Sequence, residues 1–552
     1  MVFSFVQQPA STYLEFQRFK YPGPHGPVDA VAVPSDVHDH LLSAYTFLSS
    51  LIILKLWGIA IAVWVYFFYA KGHRQVNDLS MSVFNKRGSP EESFTDRAFY
   101  SPTKPTWRFY VLCFAILSVW VANIGAGILV PRTLILGNAA PVNPMSIYVP
   151  DLDYDSNDRA HLSASYALDV PLTLRAAGSA LIASASLQEQ ILVSQPISLG
   201  PIVNNGNTEQ IQQIQYSYNV SGADFGLQYY PNLLLQVTGA CTTDYSWWEK
   251  SLSAINDPAV DYYYLWNDSS NVEEVSLDDG LQPLGIFFVD NPDTSSPTNF
   301  TWGAVVSSFG RGSFTPSTDP WYYTQETGQN KSDPTTTPYN VSRGRPALSC
   351  WENDEWTYMG QSNNVSNLHA IPGLGLSSVT QSILYRYFFE PKIVSVAQRL
   401  RPSNLQSATT SLGTVFDAGS SSLHSDLERL ILAAYVATTN TFTDTTLYPA
   451  SGQSSANVGG VTIPNIVLDN FARPSPGVGE FVVYSADITT LSVKVLILVP
   501  TFAVLLWLGA LILLKATPIR ITNAMEVSSI FHSVKSRFPN ATICEDREDW
   551  NM

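Results

Sequence analysis

Between residues 244 and 356 the chain gathers two side-chain types that handle sugars, carboxylates and indoles. The acids include Asp244, Glu249, Glu273, Glu274, Asp278, Asp279, Glu352, Asp354 and Glu355. Among them stand Trp247, Trp248, Trp266, Trp302, Trp321, Trp351 and Trp356. A glycoside hydrolase needs two carboxyls about 5 Å apart for a retaining reaction, or about 6.5–9.5 Å for an inverting one. Sequence does not fix that separation. The indoles carry two readings of their own: stacking faces for sugar rings, or core filling with each N–H bonded nearby.

Other chemistry is thinner. Asp36, His38, Asp39 and His40 form a tight cluster, but the remaining histidines are scattered and no second ligand group has metal-site spacing. The cluster reads as a polar segment beside a membrane, and no metal is expected. No Gly-x-Ser-x-Gly elbow, Walker loop or His-Glu-x-x-His is present, and Gly373-Leu374-Gly375 after Pro372 is a turn. No cofactor is expected. A net charge of −16 with no basic cluster away from the apolar runs excludes nucleic acid as a partner.

Three apolar runs must position whatever chemistry exists: Leu51–Ala70, Phe109–Val130 and Val493–Leu514. Each has the length of about 20 residues that crosses a bilayer. Only 14% of the 552 residues are charged while 45% are hydrophobic, as expected when some apolar residues face lipid. Tyr66, Phe67, Phe68 and Tyr69 suit an interfacial belt. Lys55 and Lys494 lie near the outer ends of their runs and read as snorkelling side chains, with ion or proton conduction as the alternative. Ala122, Gly125, Ala126 and Gly127 would let helices approach closely.

Lys71, Arg74, Lys86, Arg87, Arg97, Lys104 and Arg108 fall between the first two runs, and Lys515, Arg520, Lys535 and Arg537 follow the third. The positive-inside bias then gives an outside tail at 1–50 and spans at 51–70, 109–130 and 493–514. It also gives a cytoplasmic loop at 71–108, a large outside domain at 131–492 and a cytoplasmic tail at 515–552. Met1 to Val6 lacks the basic and apolar regions of a cleavable signal, so the first span is expected to act as an uncleaved anchor.

Glycosylation sequons agree with this orientation. They begin at Asn219, Asn267, Asn299, Asn330, Asn340 and Asn364, all between the second and third runs, and one more at Asn540 falls in the cytoplasmic tail. Cys241 and Cys350 are the two cysteines in the same region, a natural disulfide pair if it is outside and two buried thiols otherwise. Such a closure of about 110 residues would contribute on the order of 4 to 5 kcal/mol in the chain-entropy model.

The outside domain reads as α+β, strand-rich first and helical later. Strands are expected within Leu162–Val203 and at Gln213–Val220, Leu233–Gly239, Gly285–Val289, Thr301–Ser307 and Glu480–Tyr484. Turn-rich stretches at Asp290–Asn299 and Thr315–Thr337 separate them. Helical spacing marks Ser377–Glu390 and Ser422–Thr439, the latter with Ser422 as N-cap. A juxtamembrane helix is expected over Ile521–Phe538. In Arg345–Gly360, Cys350 beside Trp351 is expected to anchor an aromatic core while Glu352, Asp354 and Glu355 face outward or cap a turn.

That stretch, with Ile371–Ser377, Asp417–Arg429 and Lys104-Pro-Thr-Trp-Arg108, resembles uncharacterised multi-pass membrane proteins of filamentous fungi. The resemblance spans most of the chain and implies a large glycosylated outside domain, with no activity to carry over. A fungal accessory role beside secondary-metabolite genes would be compatible with it. The expectation is therefore a plasma-membrane glycoprotein whose outside domain binds, adheres or scaffolds without catalysis. Its partners would be the bilayer and either cell-wall carbohydrate or another membrane protein. The alternatives are an ectoenzyme cleaving wall glycans through paired carboxylates, and a transport subunit oligomerised around Asn123.

Overall fold

A computed structural model describes residues 8–70, 107–151, 159–182, 184–204, 206–255, 259–276, 282–290, 299–328, 337–448, 452–468 and 473–516. The chain divides into a unit of residues 1–28 and 139–486 and a second unit of 29–138 and 487–552. The expected helix at Ile521–Phe538 lies outside the described residues.

The second unit holds three helices long and apolar enough to cross a membrane. They cover Ser35–Ala70, Trp107–Leu134 and Val493–Ala516. The third starts where the Val493 run was expected. The first starts at Ser35, sixteen residues before Leu51, so Asp36, His38, Asp39 and His40 occupy its opening turns. Asp36 accepts from the Val37 amide and His38 pairs with Asp39 at 3.3 Å. Among the described residues no group of three or more ligating side chains could hold a metal.

Short strands tie these helices together. Ala30–Pro34 pairs antiparallel with Ile488–Ser492, which also pairs with Ile135–Gly137. Val33, Tyr45, Leu134, Leu491 and Val499 form the buried cluster above them, and the Tyr45 hydroxyl donates to the Leu496 carbonyl at 2.6 Å. A methyl at Gly127 would sit 3.8 Å from the Thr46 methyl, whereas one at Gly125 would meet nothing, so close approach is confined to part of the small-residue stretch.

The larger unit is built on an antiparallel sheet of eight strands. In chain order the elements are α1 (Arg159–Ile182), β1 (Ile191–Val193), β2 (Ile197–Asn204), β3 (Asn207–Ser221) and β4 (Leu234–Asp244). A hairpin β5 (Val260–Tyr264) and β6 (Val272–Ser276) follows, then β7 (Leu284–Val289), β8 (Asn299–Ser307), β9 (Ala347–Tyr358) and β10 (Gln361–Asn363). The helical part comprises α2 (Ser378–Tyr387), α3 (Lys392–Leu400), α4 (Leu423–Thr439) and α5 (Thr441–Asp444). The sheet runs β7-β8-β9-β4-β3-β1, with β2 beside β3 and β10 beside β9. Of its long strands, β3 and β4 overlap the expected Gln213–Val220 and Leu233–Gly239, whereas β9 was not among the expected strands. The hairpin between Asn204 and Asn207 closes with Gly206 at φ +80°, a conformation that glycine adopts without penalty.

One expected strand region is a helix. Residues 159–182 form α1, not the first part of a strand pair; only its continuation at β1 and β2 is extended. The buried positions Ala164, Leu168, Leu172, Ala176 and Ala180 recur every four residues, a helical stripe. Three of the five are alanines, too weakly apolar to advertise the period, and Pro171 inside the helix argues against it on local propensity. Tertiary packing overrides that preference: α1 lies against α4 and α3, and α4 lies on β3 and β1. As expected, α4 begins at a cap in which the Ser422 hydroxyl accepts from the Ser425 amide.

Candidate functional site

The centre of the larger unit is β9, whose residues alternate strictly between two faces. Cys350, Glu352, Asp354 and Trp356 point inward and are buried; Trp351, Asn353 and Glu355 point the other way. Cys350 stands opposite Cys241 on β4 and the two form a disulfide. The expectation that Glu352 and Asp354 face outward is overturned, and so is the placing of Trp351 in the core. A strand that buries Cys350 must also bury positions 352 and 354.

The inward acids form a polar centre under α4. Tyr216 on β3, Gly239 on β4 and Glu352 on β9 lie in one row across three strands. The Tyr216 ring crosses above Gly239, where a methyl group would come within 2.4 Å of it, and its hydroxyl donates to Glu352 Oε2 at 2.5 Å. In the next row Tyr218, Val237 and Asp354 align, and the Tyr218 ring meets Tyr435 of α4 edge-on at 5.9 Å. Glu352 Oε1 and Asp354 Oδ1 are buried without a donor, and the two carboxyls are within hydrogen-bond reach of each other. A single proton held between them satisfies both oxygens. Burial pushes both acids well above the ordinary carboxylate range, and the neighbouring carboxylate raises Asp354 further.

Two carboxyls thus face each other among aromatic rings, but both are buried: Glu352 is 1% and Asp354 4% exposed. The other expected acids are dispersed. Asp244 caps Ser246, Glu249 binds Ser251, Glu274 is exposed on β6 and Glu355 lies on the outer face. Glu273 sits beside Glu274 in β6, and Asp278 and Asp279 lie outside the described residues. Of the indoles, Trp247, Trp302, Trp321 and Trp356 are fully buried, Trp248 and Trp266 are half-buried, and Trp351 alone of the seven is exposed, at 51%.

Trp351 lies in an open part of the sheet's outer face. Towards one end that face is covered by the cluster of Trp247, Tyr263, Leu265 and Val275, and the absence of a side chain at Gly303 makes room for Trp247. Beyond it Trp351 stands between Ala240 and Thr301, beside a shallow depression of about 480 Å³. Gln213, Thr242, Asp244, Thr301 and Ser349 line this hollow. Among the described residues its chemistry is amide, hydroxyl, indole and the aliphatic Ile211, with one carboxylate and no cation.

The expected glycosylation positions separate by exposure. Asn219, Asn267, Asn299 and Asn340 are exposed. Asn364 is 6% exposed, and its side-chain oxygen accepts from the Asn367 amide. Asn330 lies outside the described residues. Asn299 and Asn219 share the outer face with Trp351, and Asn299, opposite Asn353, is its diagonal neighbour.

A family model described as a domain of unknown function, DUF8406, matches residues 170–483, more than half of the chain. The chain belongs to the DUF8406 family. No curated protein and no solved structure matches it.

The DUF8406 region takes in the whole eight-stranded sheet, the acid pair and the Trp351 face, together with most of two further polar centres that the sequence reading missed. In one, Arg345 forks onto Glu209 at 2.9 and 3.1 Å, with Asn204 and Tyr245 completing the carboxylate's bonds. In the other, a small cavity among α1, α3 and α5 is lined by Asp169, Tyr387, Lys392, Arg399, Asp444 and Tyr448. Arg399 pairs with Asp169 at 3.0 Å, and Tyr448 donates to Asp169. Burial and the Arg399 charge push the Lys392 amine down to about 8, and burial pushes Asp444 up to about 7. The space, about 30 Å³, has room for about one water and is too small for a substrate. The available sequence signal was a set of charges inside otherwise apolar helices, which burial would have to pair.

Proposed function

We propose that this protein is a non-catalytic membrane glycoprotein whose larger unit lies outside the cell and binds neutral, wall-type carbohydrate on the sheet face around Trp351. The observation that carries the proposal is the division of β9. Glu352 and Asp354 are sealed in the core, while its one exposed indole stands among amides and hydroxyls with the single carboxylate of Asp244. A flat indole stacks on the C–H face of a sugar ring, and neutral hydrogen-bonding groups suit hydroxyls without selecting charge. Burial of Glu352 and Asp354 removes the best-placed carboxyl pair from contact with a glycan, which weighs against the hydrolase alternative.

Three apolar helices, the basic flanks of the 71–108 and 515–552 segments and the grouping of sequons support a spanning topology with this unit outside. The Cys241–Cys350 disulfide agrees with an oxidising compartment. Binding of soluble β-glucan and chitin oligosaccharides to the full-length protein in lipid nanodiscs tests the proposal. The wild type is expected to bind and Trp351→Ala to lose binding at unchanged thermal stability. Equal binding by the two forms, or none by the wild type, would contradict it.

A further inference from the structure

The first apolar helix carries Lys55 at a depth that its sequence position conceals. Tyr45 donates to Leu496, which fixes the first helix against the third: residue 45 lies level with residue 496. Leu496 is three residues inside the third helix, about 4.5 Å, and Lys55 is ten residues beyond Tyr45, about 15 Å. Lys55 therefore stands about 20 Å past the level of Val493, in a hydrocarbon layer about 30 Å thick. It is not one turn below the outer surface, as the apolar run alone implied; Lys494, the second residue of its helix, lies near that surface and can snorkel.

Lys55 is also exposed on its helix, as is its neighbour Leu56. Side chains on a helix lean towards its N-terminus, here the outer surface some 20 Å away, so the four-carbon stem points away from the nearer headgroups. A lipid-facing ammonium at this depth is costly and calls for an opposite charge. Among the described residues of the three apolar helices, none stands at that depth. The helices Trp107–Leu134 and Val493–Ala516 contain no acidic residue, and the first contains only Asp36 and Asp39, in its opening turns. A second copy would bring Lys55 against Lys55 with no carboxylate at the same level. Asn123 of the second helix offers a carbonyl oxygen but no charge.

We infer that Lys55 is the docking point for a transmembrane helix of a different protein, one that carries an aspartate or glutamate at matching depth. The paired charges would specify which helix lies against the first span, while apolar side chains of the span supply contact area. The protein would then be one subunit of a heteromeric membrane complex. This inference rests on the spanning reading but not on carbohydrate binding.

The probe is a set of poly-leucine transmembrane peptides bearing one Asp at the level of Lys55, one Asp seven residues away, or no polar residue. They are reconstituted with the labelled full-length protein in phosphatidylcholine vesicles. Energy transfer should report association about tenfold stronger for the depth-matched Asp peptide than for the all-leucine one. Lys55→Leu should abolish the difference and Lys55→Arg keep it. In the native membrane, Lys55→Leu should also migrate as a smaller complex than the wild type. Equal association of the three peptides, persistence in Lys55→Leu, or an unchanged native complex would overturn the inference. Release of the protein from membranes by alkaline carbonate would instead show that the spanning reading itself had failed.

Discussion

The Tyr216 hydroxyl reaches Glu352 across an intervening strand, at 2.5 Å, by passing over Gly239. The glycine is needed for space, since any Cβ there would strike the tyrosine ring. Gly239→Ala should displace the ring, strip Glu352 of its donor and destabilise the larger unit. Overpacking alone costs about 1–3 kcal/mol, and an orphaned buried acceptor adds about 1–3 more. Chemical denaturation checks this; a loss below about 1 kcal/mol would mean that the row is loosely packed.

Buried acids make stability depend on pH in a defined direction. Burial raises Asp426 to about 6 and Asp319 and Asp444 to about 7, and it raises Glu352 and Asp354 as well. Each binds a proton more tightly folded than unfolded, so its contribution is full below the unfolded value near 4 and is lost as pH rises through the folded value. Lys392, lowered to about 8, acts oppositely and only above that pH. The thermal midpoint should therefore fall between pH 5 and pH 8. Glu352→Gln keeps a neutral group in place, supplies a donor towards Asp354 and should flatten part of that slope.

The forked Arg345–Glu209 pair is buried at both ends, at 1% and 3% side-chain exposure. Arg345→Met strands a carboxylate in the core and should cost about 3–5 kcal/mol. Adding Glu209→Leu removes the stranded charge and should recover part of the loss. Unfolding free energies of the single and double variants decide the matter, and strict additivity would contradict it.

Because Asn299 is the diagonal neighbour of Trp351, a glycan attached there would compete for the same indole face. Enzymatic removal of N-glycans, or Asn299→Gln, should therefore increase oligosaccharide binding by the wild type and leave Trp351→Ala unable to bind. Titration of each form against the same oligosaccharide gives the comparison. Weaker binding after deglycosylation would mean that the attached glycan helps to form the site.

Much of the sheet was legible because long antiparallel strands with one covered face alternate plainly: the expected Gln213–Val220, Gly285–Val289 and Thr301–Ser307 fall within β3, β7 and β8. The apolar helices were legible by length. What failed did so for identifiable reasons. Arg159–Ile182 buries alanines, whose weak hydrophobicity hides a helical period, and carries a proline. Glu352 and Asp354 were assigned to the surface by residue type, although their even spacing from Cys350 puts all three on one face. The start of the first helix at Ser35, sixteen residues before the apolar run, is accompanied by packing such as the Tyr45–Leu496 bond, a long-range relation that no local pattern encodes.

The orientation of the larger unit decides more than any other fact, and glycan occupancy in sealed membrane vesicles measures it. Peptide mass spectrometry after protease treatment of intact vesicles should find the unit protected. It should find glycans on the exposed Asn219, Asn267, Asn299 and Asn340, and none on Asn364, whose side chain is buried and bonded. A unit digested from outside the vesicles, with every sequon bare, would place it in the cytoplasm and contradict the proposed function.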